Sequence, residues 1–169
     1  NSGTGRSGSE KRVLLLAFRH RSDGGVVMAF FTDVMTVYNY RQEADGEHWE
    51  RSVIRGVQWR HGKRRVIADK GVFSDGPEES VTVDFRRGYT GNPSYLPPEE
   101  YRKAERVEEF WTLDPADGTD VIICGEIFRE VGKDYSISQL KRDYAGFTVV
   151  SVADNRNRPR LKHIRVVAK

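Results

Sequence analysis

From Met28 onward the apolar residues fall in short segments separated by turn-rich polar ones, a pattern that reads as mainly β. Thr36–Tyr40 (TVYNY) is β-branched and aromatic, and Asp45-Gly46 within Gln42–Glu47 predicts a hairpin turn after it. Trp49–Trp59 (WERSVIRGVQW) reads as the return strand, with Gly56 as a bulge. Trp59–Arg65 (WRHGKRR) reads as a hairpin tip. Val66–Phe73 and Ser80–Arg86 (SVTVDFR) are predicted strands, separated by the turn-rich Ser74–Glu79. A Gly/Pro loop over 88–98 leads to Pro98–Glu109, predicted as one short charged helix. Phe110–Leu113 (FWTL) enters a turn at Asp114–Gly118, and Thr119–Phe128 (TDVIICGEIF) is the strongest strand. The spacing of Ile137, Leu140 and Tyr144 predicts a helix over 136–145, capped by Ser136 and stopped by Gly146. Thr148–Ala153 and Leu161–Ala168 close the chain as two strands joined by the basic turn Asp154–Arg160 (DNRNRPR). The expected class is therefore mainly β: a small barrel or sandwich with one late helix and a shorter charged one.

Two parts are expected in the 169 residues: a flexible N-terminal extension, 1–27, and a single β-rich domain, 28–169. Asn1–Glu10 (NSGTGRSGSE) has no apolar residue to anchor it. Met28 is the expected start of the folded unit, with 1–27 an extension or the product of an upstream start; the alternative is that Val13–Phe18 adds a strand. The longest strictly apolar runs, Val13–Phe18 and Val26–Phe31, fall far short of the roughly 20 residues of a spanning helix. They are also shorter than the ~7–15 residues of a secretory apolar core. No membrane contact is expected, and synthesis and residence inside the cell are. Lys and Arg number 28 against 25 Asp and Glu, a net charge of +3. Five of those cations and two of those anions fall in 1–27, so the remainder of the chain carries equal numbers of each sign.

Motifs for chemistry are sparse. Gly3-Thr-Gly5-Arg-Ser-Gly8 has the spacing of a dinucleotide fingerprint but neither the strand before it nor the helix after it. Gly56–Arg64 misses the phosphate-loop spacing and has Arg64 where a magnesium-binding hydroxyl belongs. Asp114–Asp120 faintly resembles a calcium loop, lacks its closing Glu, and reads as a solvated turn. His20, His48, His61 and His163 form no paired ligand spacing, and one cysteine excludes an internal disulfide. Cys124 reads as a buried, inert thiol within an apolar strand, and Glu99-Glu100 and Glu108-Glu109 as a solvated helix face. No enzyme activity, metal or cofactor is expected. The basic stretches carry more content: Trp59, Arg60, Lys63, Arg64 and Arg65 on one, and Arg156, Arg158 and Arg160 on the other, as candidate assembly or DNA-lumen contacts.

An ordered set of segments carries a resemblance. TVYNY is followed by W-x-R-x-V-I-x-G-V-Q-W, Y-L-P-P-E-E-Y and F-W-T-L-x-x-x-D-G-T-D-V-I-I-C-G-E-I. Then come Ile137–Tyr144 (ISQLKRDY), Ser151–Arg156 (SVADNR) and Leu161–Lys169 (LKHIRVVAK). Over about Thr32–Lys169 this resembles a family of small phage and prophage proteins of the minor-capsid and head-completion kind. The chain departs from it at Ile164, where Trp is common, and at Asn157-Arg158, where Gly-Ser is common. The resemblance implies a small β-barrel with one helix, acting as a head-closure or head–tail connector subunit. It implies a ring of copies between portal or adaptor and the neck or tail-terminator proteins, with non-specific contact to packaged DNA. The implied location is the bacterial cytoplasm during assembly and the virion neck afterwards. In such a ring the acidic 99–109 and basic 155–169 stretches would steer the contact between neighbours, and the tips Trp59–Arg65 and Gly88–Pro97 would reach to the components above and below. The alternative from the residues is a nucleic-acid-binding barrel of OB type.

Overall fold

The computed structural model describes residues 31–67, 73–86, 89, 91–116 and 118–169, with the side chains of 64–67 and 73–77 outside the description. The leader 1–27, including Val13–Phe18, lies outside the described residues. The described residues form a closed, six-stranded, wholly antiparallel barrel with a small two-stranded sheet beside it. In chain order the elements are β1 (Asp33–Glu43), β2 (Gly46–Ile67), β3 (Phe73–Asp84), β4 (Ser94–Tyr95) and α1 (Pro98–Tyr101). A 3-10 turn (Val107–Glu109) follows, then β5 (Phe110–Trp111), β6 (Val121–Cys124), α2 (Ile137–Asp143), β7 (Phe147–Asp154) and β8 (His163–Ala168). Around the barrel the strands run β1-β2-β3-β8-β7-β6. The expected mainly-β class with one late helix is what forms, as a barrel.

β2 is the organising element. Its first half pairs with β1, from Gly46↔Glu43 to Val57↔Asp33, and its second half with β3, from Val57↔Val83 to Ile67↔Phe73. Gly56 has φ +78 and sits at the register shift opposite Asp33 and Val34, so the predicted bulge marks the place where the strand changes partner. Twenty-two residues of strand span about 70 Å, several times the height of the barrel wall. The β1–β2 hairpin therefore rises beyond one end (the upper, where β1 finishes), and a β2–β3 ribbon descends beyond the other.

Two sequence expectations change here. Trp59–Arg65 is not a hairpin tip: it lies within β2, in register with β3, and the two strands are connected through 68–72, outside the described residues. Ser74–Glu79 is strand, not turn. Pro77 is tolerated because a two-stranded ribbon leaves an open edge, where a missing N–H breaks no ladder bond.

Inside, Met35, Val37, Ile54, Val57, Val81, Val83, Ile122, Ile164 and Val166 are inaccessible to solvent and fill the barrel. The upper mouth is closed by an aromatic cluster in which Trp111 lies edge-on to Tyr95 at 4.9 Å and to Tyr89 at 5.7 Å. The Trp111 indole donates to the Tyr89 hydroxyl at 2.7 Å. A second cluster lies outside the wall, where Tyr38, Val121 and Ile123 are covered by Leu140 of α2. β1 and β6 are thus buried on both faces, which accounts for the unbroken apolar run of β6. That strand is shorter than Thr119–Phe128. Gly125, at φ +100, turns the chain out of it while its N–H reaches Val34 O at 2.7 Å.

The 98–109 stretch forms one turn of α-helix and a separate 3-10 turn rather than one helix. Among its apolar residues only Tyr101 is fully buried, too little to hold a continuous amphipathic helix. α2 matches expectation at its start, where the Ser136 hydroxyl accepts from Gln139 N and the Gln139 side chain returns the bond. Its end differs. Ala145 takes the left-handed conformation (φ +51), and Gly146 N–H closes the helix on Lys141 O at 2.9 Å. Tyr144 is exposed rather than on the buried face. Gly146 is required for closeness: a Cβ there would lie 3.1 Å from Val121 Cγ1 and from Lys141 Cα. Ala145→Gly is expected to stabilise the protein by roughly 0.5–1 kcal/mol, because the site demands a conformation that alanine disfavours. A rise in the thermal midpoint of about 1–4 °C would show it, and an unchanged or lower midpoint would refute it.

Candidate functional site

The predicted contact residues divide between opposite ends of the molecule. Trp59, Arg60, Lys63, Arg64 and Arg65 lie on the descending half of β2, whereas Arg156, Arg158 and Arg160 lie in the β7–β8 turn at the upper end. The side chains of Arg64 and Arg65 lie outside the described residues. Trp59 is a core residue, its indole donating to the buried Glu79 at 2.6 Å. Arg156 is engaged within the fold: it forks onto Asp154 at 2.7–3.0 Å, and its guanidinium sits 4.4 Å from the Tyr95 ring centre. The carboxylate beside it holds the Arg156 pKa above its usual value and, reciprocally, the Asp154 pKa below its own. Arg60, Lys63, Arg158 and Arg160 are exposed.

A polar site that the sequence reading missed lies at the upper mouth. Asp114–Asp120 is not a solvated turn, since Asp120 is 2% exposed. Its carboxylate accepts from Tyr40 N at 2.9 Å, Asn39 Nδ2 at 2.9 Å and Asp114 N at 2.8 Å. Asn39 also pairs with the Thr112 backbone through both ends of its amide, at 2.8 and 3.1 Å. The knot joins β1 to the segment between β5 and β6. Burial pushes the Asp120 pKa up to about 6, against the three donors that favour the charged form. Asp114 binds the Arg102 guanidinium and accepts from Ala116 N at 2.9 Å. Between these groups and α1 is a cavity of about 240 Å³ lined by Tyr40, Tyr101, Arg102, Thr112, Asp114 and Asp120. The Asp120 oxygens are taken up by fixed donors, which tie β1 to the lid of the barrel.

Two smaller groupings complete the site chemistry. Glu43, Asp45 and His48 at the β1–β2 tip bring one ligand atom each within 4.8 Å of one another, and are exposed. They are the grouping of described residues that could hold a cation, and their i, i+2, i+5 spacing gives no paired-histidine signal. The Asp45 carboxylate hydrogen-bonds the His48 ring at 2.8 Å and raises the imidazole pKa. At the lower end, His61 Nδ1 lies 2.7 Å from Glu79 Oε2. Cys124 is the exposed last residue of β6, not a buried one, and its thiol is kept protonated by partial desolvation and by the charges of Asp33 and Glu79.

None of the described residues forms a helix long and apolar enough to cross a membrane. No curated protein and no solved structure matches the chain. A family model does match it, over residues 30–169, which is nearly the whole span of the barrel and its caps. The chain accordingly belongs to that family, one of unknown function (DUF6751).

Proposed function

We propose that the chain is a structural subunit of a phage or prophage particle, a head-closure or head–tail connector that assembles as a ring with copies of itself. In this reading it meets a portal or adaptor on one side and a neck or tail-terminator protein on the other, and carries out no catalytic step. It would gather in the bacterial cytoplasm and end in the virion neck. The observation that carries the reading is β2: one strand continues from a hairpin above the barrel to a ribbon below it. Such arms give a small rigid body reach toward different neighbours at its two ends, as a component between two other assemblies needs. The ordered sequence likeness to small head-completion proteins supports the same assignment. The acidic 99–109 stretch and the first part of the basic stretch, 155–160, stand at one end of one molecule, and Arg156 is committed internally, so charge steering falls to the exposed Arg158 and Arg160.

Particles from cells carrying the gene test this directly. Cryo-electron microscopy should find a ring of barrels at the neck, and deletion of the gene should leave filled heads without tails. A neck lacking this chain, or normal particles after deletion, would overturn it.

A further inference from the structure

Many of the described cations are paired within the fold. On the β1 side, Arg41 pairs with Glu43, Arg51 with Glu130 and Arg55 with Glu126; over the upper mouth Arg102 pairs with Asp114 and Arg106 with Glu109. On the β2–β3–β8 side Arg86 and Arg156 are held by Asp84 and Asp154, but a larger group of cations stays unpaired, as Lys103, Lys133 and Arg142 do singly elsewhere. Arg60, Arg158, Arg160, Lys162, Arg165 and Lys169 are exposed, and among the described residues none of them has a carboxylate within ion-pair distance. The nearest thing to a partner is neutral: Arg165 Nε donates to Ser80 Oγ at 3.3 Å.

These cations share one surface. The register places Arg60 beside Ser80, Ser80 beside Val167, and Arg165 between Thr82 and Ala153. With Val81, Val83, Ile164 and Val166 facing the core, these residues form the outer face of four adjoining strands. Arg158, Arg160 and Lys162 border it above and Lys169 below. α2 covers the opposite wall, and among the described residues no helix or further strand packs over this one. Between the arginines the outward side chains are short (Ser80, Thr82, Ser151 and Ala153), so a broad object can approach closely. Of the bordering carboxylates, Asp84 accepts from Arg86 N and Asp154 is held by Arg156, while the half-buried Glu78 lies two residues from Ser80 on the same strand face. Its one aromatic ring, Phe31, lies at the upper edge beside Thr82, Asp84, Leu161 and His163, and a lone ring gives no row of platforms for successive unpaired bases.

We infer that this face binds the phosphate backbone of duplex nucleic acid without reading its sequence. The inference rests on the connector reading only for its biological setting, where the ring would turn this wall toward the DNA it encloses. Low relief and unshared positive charge suit a phosphate-lined cylinder.

Fluorescence anisotropy with the full chain and a labelled duplex of about 24 base pairs tests it across a salt series, the affinity falling with a log–log slope near −4 for four or five neutralised phosphates. Arg60→Glu combined with Arg165→Glu should weaken binding at least ~30-fold and make the slope shallower by about two. Arg60→Gln with Arg165→Gln should give a smaller loss of the same sign, which separates the effect from any folding defect. Lys133→Glu, on the α2 side, should change affinity less than about twofold. No duplex binding at low salt, an equal loss in Lys133→Glu, or equal affinity for poly-glutamate would each overturn the inference. A ring found at the neck with no DNA affinity would remove this surface and leave the connector reading standing. DNA affinity that depends on Arg165, with no chain at the neck, would do the reverse.

Discussion

Replacing Asp120 by alanine is expected to lower the unfolding free energy by about 3–5 kcal/mol, because it strands three buried donors at once. Tyr40 N, Asp114 N and the Asn39 amide all point at that carboxylate. Asp120→Asn keeps the shape but offers one acceptor oxygen to three donors, and should cost about 1–3 kcal/mol at pH 7. The asparagine variant also isolates the charge. The native pKa of Asp120 is raised to about 6, above its unfolded value of 3.8, so the folded state holds this proton more tightly. Its contribution to stability is then fully present below pH 4 and is lost as pH rises through 6, a change of up to about 3 kcal/mol. Urea titrations of both proteins at several pH values should show the wild type losing stability relative to Asp120→Asn across that window. Parallel curves would mean that the buried carboxylate stays charged throughout.

A second large loss is expected at the aromatic cap. Trp111→Ala should cost about 3–5 kcal/mol, since the indole is fully buried between Tyr89 and Tyr95 and its removal opens a cavity under the lid. In a domain of this size that is a fall in thermal midpoint of roughly 10–15 °C. Trp111→Phe retains most of the ring contact and gives up the bond to the Tyr89 hydroxyl, at a cost of about 1–2 kcal/mol. The two variants separate volume from hydrogen bonding. Equal losses would assign the whole effect to the Tyr89 bond.

The parts of this fold that can be read from sequence are those whose burial repeats locally. β6 is apolar on successive positions because the barrel lies on one side of it and α2 on the other, and Ser136 with Gln139 marks the helix start within four residues. The β2–β3 ribbon is illegible for the opposite reason. Beyond Trp59 it leaves the barrel and has no core to impose alternation, so Gly62, Gly76 and Pro77 look like turn signals. Asp120 is missed because Asp-Pro-Ala-Asp-Gly-Thr-Asp matches the composition of a solvated turn. The donors that bury it come mostly from Asn39 and Tyr40, some 80 residues away in sequence. The basic residues illustrate a third case. Sequence locates Arg60 and Arg165 as charges but does not place them on one wall, since only the strand order β2-β3-β8 makes them neighbours. Nor does it distinguish Arg158 from Arg156, which differ in whether a tyrosine ring waits beneath them.

The partner exchange in β2 gives the molecule a mechanical axis. Its two halves are clamped to different strands by continuous ladders, and the bulge at Gly56 is the point where neither clamp fully applies. The two arms are thus parts of one continuous strand, and the barrel between them holds its midpoint.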